Sequence, residues 1–215
     1  MRRNLIGLIL AGGQARRFGG KKALAHLEGR PLALWVKEAL EPFCEEIWLS
    51  LREPDQPEAL LGPHFKRIFF DPLPGAGPLA GLLAALKGLS PEAALLVAPC
   101  DQPLIQPTLL QGLRATFEKD PAPAVVFLGT KGYEPFPGIY CGDLVKDLEN
   151  YLEAGGRSVR KWLSGLSPEK LLGIPPEKWY AWDPEGWSFL NINYQEDLKR
   201  IEALLREKRP PLSSA

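Results

Sequence analysis

The chain has little net charge, few cysteines, few histidines and no long apolar run, and each shortage narrows what it can do. Lys+Arg and Asp+Glu both number 26 in 215 residues, so the summed field that draws proteins to nucleic acid or anionic lipid is missing. Neither nucleic acid nor a membrane is expected as a partner; the first partner to consider is small. The three cysteines, Cys44, Cys100 and Cys141, form no C-x-x-C pair, which leaves no signature of a zinc or dithiol site and fits a reducing cytoplasm. His26 and His64 stand alone, with no serine or cysteine in a nucleophile-elbow context, so a triad hydrolase has no support. The apolar run from Leu5 to Ala11 is short for a signal core, and no stretch approaches the ~20 apolar residues of a membrane span.

What is present is ordinary for a folding domain: 45% hydrophobic and 24% charged residues, enough to bury a core. Apolar runs of strand length alternate with helical patterns, the signature of a mostly parallel sheet covered by helices. "LIGLILA", "EEIWLSL", "FKRIFFD", "AALLVAPCD" and "APAVVFLG" read as strands. "PFPGIYC" reads as a strand placed antiparallel or at an edge because of its prolines, and "GWSFLNIN" as a late strand. "PLALWVKEALEPF", "GPLAGLLAALKGL", "PTLLQGLRATFEK", "DLVKDLENYLEAGG" and "YQEDLKRIEALLREKR" read as helices, the fourth capped by Gly155. The tail "PPLSSA" is expected to be loose.

Ligands of an open parallel sheet sit beyond the carboxyl ends of its strands, so the residues that follow each strand are weighed first. After the first strand comes "AGGQARRFGGKK", two glycine pairs interleaved with Arg16, Arg17, Lys21 and Lys22. Gly12 and Gly13 would let the backbone approach a bulky anion, and the cations would neutralise it; a polyphosphate is the natural guest. The bland alternative is a glycine turn with solvated cations. The stretch is not a P-loop, because Gly13 to Gly19 is one step too long and Lys21 is followed by Lys22. A dinucleotide fingerprint at Gly75, Gly77 and Ala80 lies in a proline-rich loop and carries little.

Asp101 follows the apolar strand Ala93 to Ala98, where a carboxylate can hold Mg²⁺ beside substrate phosphates or close an Asx turn before Pro103. Asp71 has the same position on its own strand. Asn193 with Glu196 looks like a capping box for the last helix, while the Asn191 amide could align a phosphate or make a turn hydrogen bond. Trp179, Trp182 and Trp187 are expected to pack rather than stack on bases.

"LAGGQARRFGGKKAL" resembles the L-A-G-G-x-[SA]-x-R-[MF]-G-x-D-K-[AG]-L signature of the molybdenum cofactor guanylyltransferases. "DPLPGAGPLAGLLAAL", "PCDQP", "EPFPGIY" and "NINYQEDL" are similar to that family's later segments, in the same order. The resemblance implies a three-layer α/β/α, Rossmann-like nucleotidyltransferase fold of the glycosyltransferase-A type. The length and the lack of a dividing linker make a single domain over 1–208 the expectation, and the resemblance implies a nucleotide-binding half to about 106 and an acceptor-binding half over about 107–208. The implied reaction joins GMP, from GTP, to the phosphate of Mo-molybdopterin, with Mg²⁺ as cofactor and molybdenum cofactor delivery proteins or apo-molybdoenzymes as further partners.

By position, Leu10, Ala11, Gly12 and Gly13 would line the nucleotide and Lys22 bind its phosphate. Ser50 stands where relatives can carry an asparagine, Asp71 would contact the nucleotide, and Asp101 both nucleotide and Mg²⁺. Arg17 and Lys22 would stabilise the leaving pyrophosphate, and Arg157, Asn191 and Asn193 would face the acceptor. Lys21 occupies the signature's aspartate position, which makes the turn more positive. A cytidylyltransferase of the same cofactor, a sugar-phosphate nucleotidyltransferase or a non-catalytic nucleotide-binding adaptor are the alternatives.

Overall fold

The computed structural model describes residues 3–12, 22–53, 56–71 and 75–208. Its centre is a seven-stranded sheet made of β1 (Asn4–Leu10), β4 (Glu46–Leu51), β5 (Arg67–Phe70), β6 (Ala93–Pro99), β7 (Ala124–Gly129), β8 (Gly132–Cys141) and β9 (Leu171–Ile174). The order across it is β5-β4-β1-β6-β8-β7-β9, and a separate two-stranded ribbon pairs β2 (His26–Leu27) with β3 (Arg30–Pro31). Neighbours β1/β4, β4/β5, β1/β6 and β7/β9 run parallel, whereas β8 is antiparallel to both β6 and β7. The sheet is continuous from the first half of the chain to the second.

The alternation along each strand sorts side chains onto two faces. Leu5 and Ile9 of β1, with Leu49 and Leu96, join a core completed by Ala33, Val36 and Leu40 of α1 (Leu32–Leu40) and Leu109, Leu113 and Phe117 of α4 (Pro107–Lys119). Ile6, Leu8 and Leu10, with Leu95 and Val97, face the other way onto α3 (Pro78–Lys87), α5 (Val145–Glu153) and α6 (Val159–Ser164). Helices therefore cover both faces, the three-layer arrangement expected from buried parallel strands. A smaller cluster of Leu27, Leu32, Leu104, Ile192 and Ile201 seats the last helix, α8 (Gln195–Lys208). The remaining short helices are α2 (Gln56–Leu61) and α7 (Pro176–Trp179). No helix among the described residues is long and apolar enough to cross a membrane.

Two sequence readings need correction. "GWSFLNIN" is not a strand: a short 3-10 turn at Trp187–Phe189 is followed by extended chain. The late strand of the sheet is instead β9, paired with β7, whose half-exposed "LLGI" gives a weak pattern. The antiparallel alternative for "PFPGIYC" holds, but β8 is interior rather than at an edge. The expected tail, 209–215, lies outside the described residues. Gly155, at φ +83°, donates its N–H to the Leu152 carbonyl where α5 ends, as its capping role requires.

The late tryptophans pack. Trp179 is buried against Phe127 and Phe189 and donates its indole N–H to the Leu128 carbonyl at 2.9 Å. Trp187 packs on the cluster beneath α8. Trp182 lies so close to Gly112 of α4 that a Cβ there would fall 2.2 Å from the indole ring. Gly112→Ala should therefore destabilise the fold by about 1–3 kcal/mol despite alanine's better helix propensity, read as a lower denaturant midpoint with an unchanged slope.

Candidate active site

The carboxyl ends of β5, β4, β1 and β6 open into one cavity of about 560 Å³. Parallel pairing is what brings them there: Ala11 N–H donates to the Ser50 carbonyl at 2.8 Å, Asp71 N–H to Leu51 at 3.0 Å and Cys100 N–H to Leu10 at 3.0 Å. Each strand is thus locked to its neighbour at the point where its chain turns away.

At the centre, three residues far apart in sequence converge. Lys22 Nζ donates to Asp101 Oδ2 at 2.6 Å and to Asn193 Oδ1 at 2.9 Å. The Ile192 N–H donates to the Asp101 carbonyl at 2.9 Å, which docks the "NIN" segment onto the turn after β6. Asp101 Oδ1 is buried and has no hydrogen-bond partner among the described residues. An orphaned carboxylate oxygen is costly unless a ligand completes it, and a hard divalent cation is a fitting one. Groups of three or more His, Cys, Asp or Glu that could hold a metal are absent among the described residues. Asp101 would therefore hold Mg²⁺ with help from phosphates and water rather than in an all-protein cage.

Toward β5 the lining is Gly12, Ser50, Arg52 and Asp71. Ser50 is buried within β4 rather than following it, and its hydroxyl donates to Asp71 Oδ1 at 3.5 Å. Gly81 in α3 permits this, since a Cβ at that position would meet Ser50 Oγ at 2.1 Å. Gly12 packs on the same carboxylate, its imagined Cβ 3.0 Å from Asp71 Oδ2. Gly75, Gly77 and Pro78 bring the N-terminal end of α3 to the cavity. Gly77 adopts φ +61° and ψ −146°, open to glycine alone. A helix N-terminus aimed into such a space favours anions.

Burial raises the Asp71 carboxyl from 3.8 to about 6, against the Ser50 hydrogen bond and the Arg52 charge, which pull it down. A carboxyl raised in the folded state adds stability that is fully present below its unfolded value and is lost as pH climbs through the folded one. Asp71→Asn removes that loss. Its stability relative to the unaltered protein should grow between about pH 4 and pH 6 and then level, at about 1 kcal/mol for a group half open to screening solvent. Chemical denaturation across this range measures it.

Several sequence-derived residues stand elsewhere. Gly13 and Arg17 lie outside the described residues, as do Arg16 and Lys21. Arg157 does not line the cavity; its guanidinium donates to the Leu152 and Gly156 carbonyls where α5 ends. Arg160, one helical turn on, stands in the lining with Glu134, Pro135 and Phe136. Asn191 lines the cavity and its amide donates to the Phe189 carbonyl at 3.2 Å, the turn hydrogen bond. The capping acid of α8 is Asp197, not Glu196: its Oδ2 accepts from the Asn193 and Tyr194 N–H groups at 2.7 and 2.8 Å. That leaves the Asn193 side chain to Lys22. Burial pushes the Cys44 and Cys100 thiols up to about 12 and Cys141 to about 11, so all three behave as small hydrophobes. Arg52, Glu134 and Arg160 escaped the sequence reading; for Arg52 the signal was present, since it directly follows a strand.

A sequence model of the MobA-like NTP transferase domain covers residues 7–169. The chain belongs to this family. A molybdenum cofactor guanylyltransferase of Cereibacter sphaeroides is 36% identical over 206 residues, covering 94% of this chain and 98% of its own. A probable molybdenum cofactor guanylyltransferase of Methanothermobacter thermautotrophicus is 32% identical over 195 residues, covering 89% and 95%. The crystal structure of molybdopterin-guanine dinucleotide biosynthesis protein A from Archaeoglobus fulgidus superposes with a TM-score of 0.79 at 30% identity, over 94% of this chain and 99% of that one. This MobA-like transferase is thus a nucleotidyltransferase by family, and its cavity lies where the parallel strands of the fold end.

Proposed function

We propose that the chain transfers GMP from GTP to the phosphate of Mo-molybdopterin, forming the guanine dinucleotide cofactor and releasing pyrophosphate. The pairing of Lys22 with Asp101 in the lining of a cavity that spans the strand ends, with Asn193 holding the lysine, carries this reading, together with the family. An oxygen of the acceptor phosphate attacks the α-phosphorus of GTP, the bond from that phosphorus to the bridging oxygen breaks, and the electron pair leaves with pyrophosphate. The attacking phosphate is already ionised, so no general base is needed, and the protein contributes position and charge.

Lys22 is placed to turn from Asp101 to a phosphate oxygen, with Asn193 keeping its ammonium at the cavity's centre. The Gly12 backbone and the N-terminus of α3 offer the phosphates a close approach, and Arg17 would add charge on the leaving group. Asp101 would hold Mg²⁺; when bound, that ion supplies charge neutralisation on the nucleotide oxygens. Asp71 and Arg52 favour guanine over cytosine. A carboxylate suits the N1–H and 2-amino donors of guanine, and a guanidinium suits its O6 and N7 acceptors.

Pyrophosphate release with loaded molybdopterin, compared across GTP, CTP, UTP and ATP with and without Mg²⁺, tests the reading. Release should need GTP and Mg²⁺ together. Equal or better turnover with CTP would transfer the assignment to a cytidylyltransferase, and none with any nucleotide would leave a binding adaptor.

A further inference from the structure

Two consecutive residues after β6 each bury a polar oxygen that no donor among the described residues answers. Asp101 Oδ1 is one, and the side-chain carbonyl oxygen of Gln102, Oε1, is the other. Gln102 is 6% exposed and lines the same cavity as Asp101. The function proposed above gives Asp101 Oδ1 a cation and leaves Gln102 without a task.

The sequence of the turn explains why both oxygens stay open. A turn carboxylate commonly accepts the backbone N–H two residues on, which for Asp101 would belong to Pro103 and does not exist. The same proline denies Gln102 the N–H of its neighbour. The Gln102 N–H itself closes the turn on the Pro99 carbonyl at 3.3 Å. Other donors that reach this place are directed elsewhere: the Ile192 N–H to the Asp101 carbonyl, Lys22 Nζ to Asp101 Oδ2 and Asn193, and the Asn191 amide to the Phe189 carbonyl. Cys100, Leu104 and Ile105, which flank the pair in the chain, are buried and apolar. A buried carbonyl oxygen without a donor costs stability in the resting protein, and a ligand that brings the donor offsets that cost.

We propose that Gln102 Oε1 accepts a hydrogen bond from a water on the divalent cation that Asp101 holds, which makes Gln102 a positioning residue for the ion. The proposal rests on the Mg²⁺ site of the function proposed above. Mg²⁺ gives up its waters reluctantly and is held by one or two carboxylates with substrate phosphates, and a water on a divalent cation is a strengthened donor. A neutral amide oxygen suits such a donor. It orients the hydrated ion without setting a second negative charge beside the nucleotide phosphates. Outer partners of this kind commonly account for ten- to hundredfold in metal affinity.

The test is Gln102→Leu, which keeps nearly the same volume and removes the acceptor, with Mn²⁺ as the probe because electron paramagnetic resonance reads its binding without turnover. With protein in excess over GTP, the Kd for Mn²⁺ should rise about tenfold or more, while GTP affinity in the presence of a chelator stays within twofold. The ion-free variant should unfold at an equal or higher denaturant midpoint, because an orphaned acceptor is gone. Gln102→Glu, which keeps an acceptor whether or not it is ionised, should bind Mn²⁺ at least about as tightly as the unaltered protein. A Mn²⁺ Kd within about threefold in Gln102→Leu overturns the proposal and leaves the transferase reading standing; a lowered midpoint beside it would assign the amide to a trapped water. Mn²⁺ binding that is insensitive to Asp101→Asn overturns the Mg²⁺ site and this proposal together.

Discussion

Asp101→Ala should abolish turnover, lowering GTP-dependent pyrophosphate release by at least about a thousandfold, while the fold persists. The size follows from what the side chain does: it offers the cavity a buried carboxylate oxygen without a partner among the described residues, beside the carboxylate oxygen that Lys22 holds. Preorganised charge stabilisation at a phosphoryl centre is worth about a hundred- to thousandfold per group, and the loss of a metal ligand adds to it. The fold survives because the contact that docks the "NIN" segment is made by the Asp101 backbone carbonyl, which alanine retains. Lys22 also keeps Asn193. Asp101→Asn, with the same shape and no charge, should be nearly as inactive, which separates charge from packing. Turnover within tenfold of the unaltered protein, with a cooperative unfolding transition intact, removes Asp101 from the mechanism.

Lys22→Ala should weaken GTP binding by about 1.5–3 kcal/mol, the worth of a hydrogen bond to a charged group, or roughly ten- to hundredfold in Kd. The ammonium is nearly buried, between an aspartate and an amide. In the resting site it neutralises Asp101; with a nucleotide and its metal bound, its charge would be free for a phosphate. Lys22→Arg should not restore the affinity, because a planar fork cannot take the place of a compact point charge held by two short contacts. Titration calorimetry with GTP and Mg²⁺ measures both variants, and an unaltered affinity in Lys22→Ala counts against the role.

Much of the fold was legible because buried parallel strands are nearly continuous apolar runs, and β1, β4 and β6 read that way without ambiguity. The strand-end rule then found Asp71 and Asp101 with no knowledge of the cavity. It failed where local pattern and tertiary contact diverge. "GWSFLNIN" has the residues of a strand, but Ile192 is spent on the cluster beneath α8 and its backbone on the Asp101 turn, so no sheet edge is left for it. β9 forms because β7 offers an edge, not because "LLGI" announces one. Asn193 and Asp197 show the same limit at the scale of a cap: the spacing flagged an acid in the first turn, but only the approach of Lys22, 171 residues away, decides which side chain caps and which serves the site. Arg157, in the loop before α6, and Arg160, in its first turn, are three residues apart, and the sequence holds nothing to tell the one that closes α5 from the one that faces the cavity. Glu134 opens the segment "EPFPGIY", but its partnership with Arg160 across 26 residues is visible only in three dimensions.

One cavity at the strand ends is expected to grip a guanine nucleotide and its metal at once. A crystal structure with GTP and Mg²⁺ bound tests it most directly. The base should lie beside Ser50, Arg52 and Asp71, the phosphates between Gly12 and Lys22, and the ion on Asp101, with the β8 end left free. Nucleotide seated against Glu134 and Arg160, or an ion that does not touch Asp101, would contradict it.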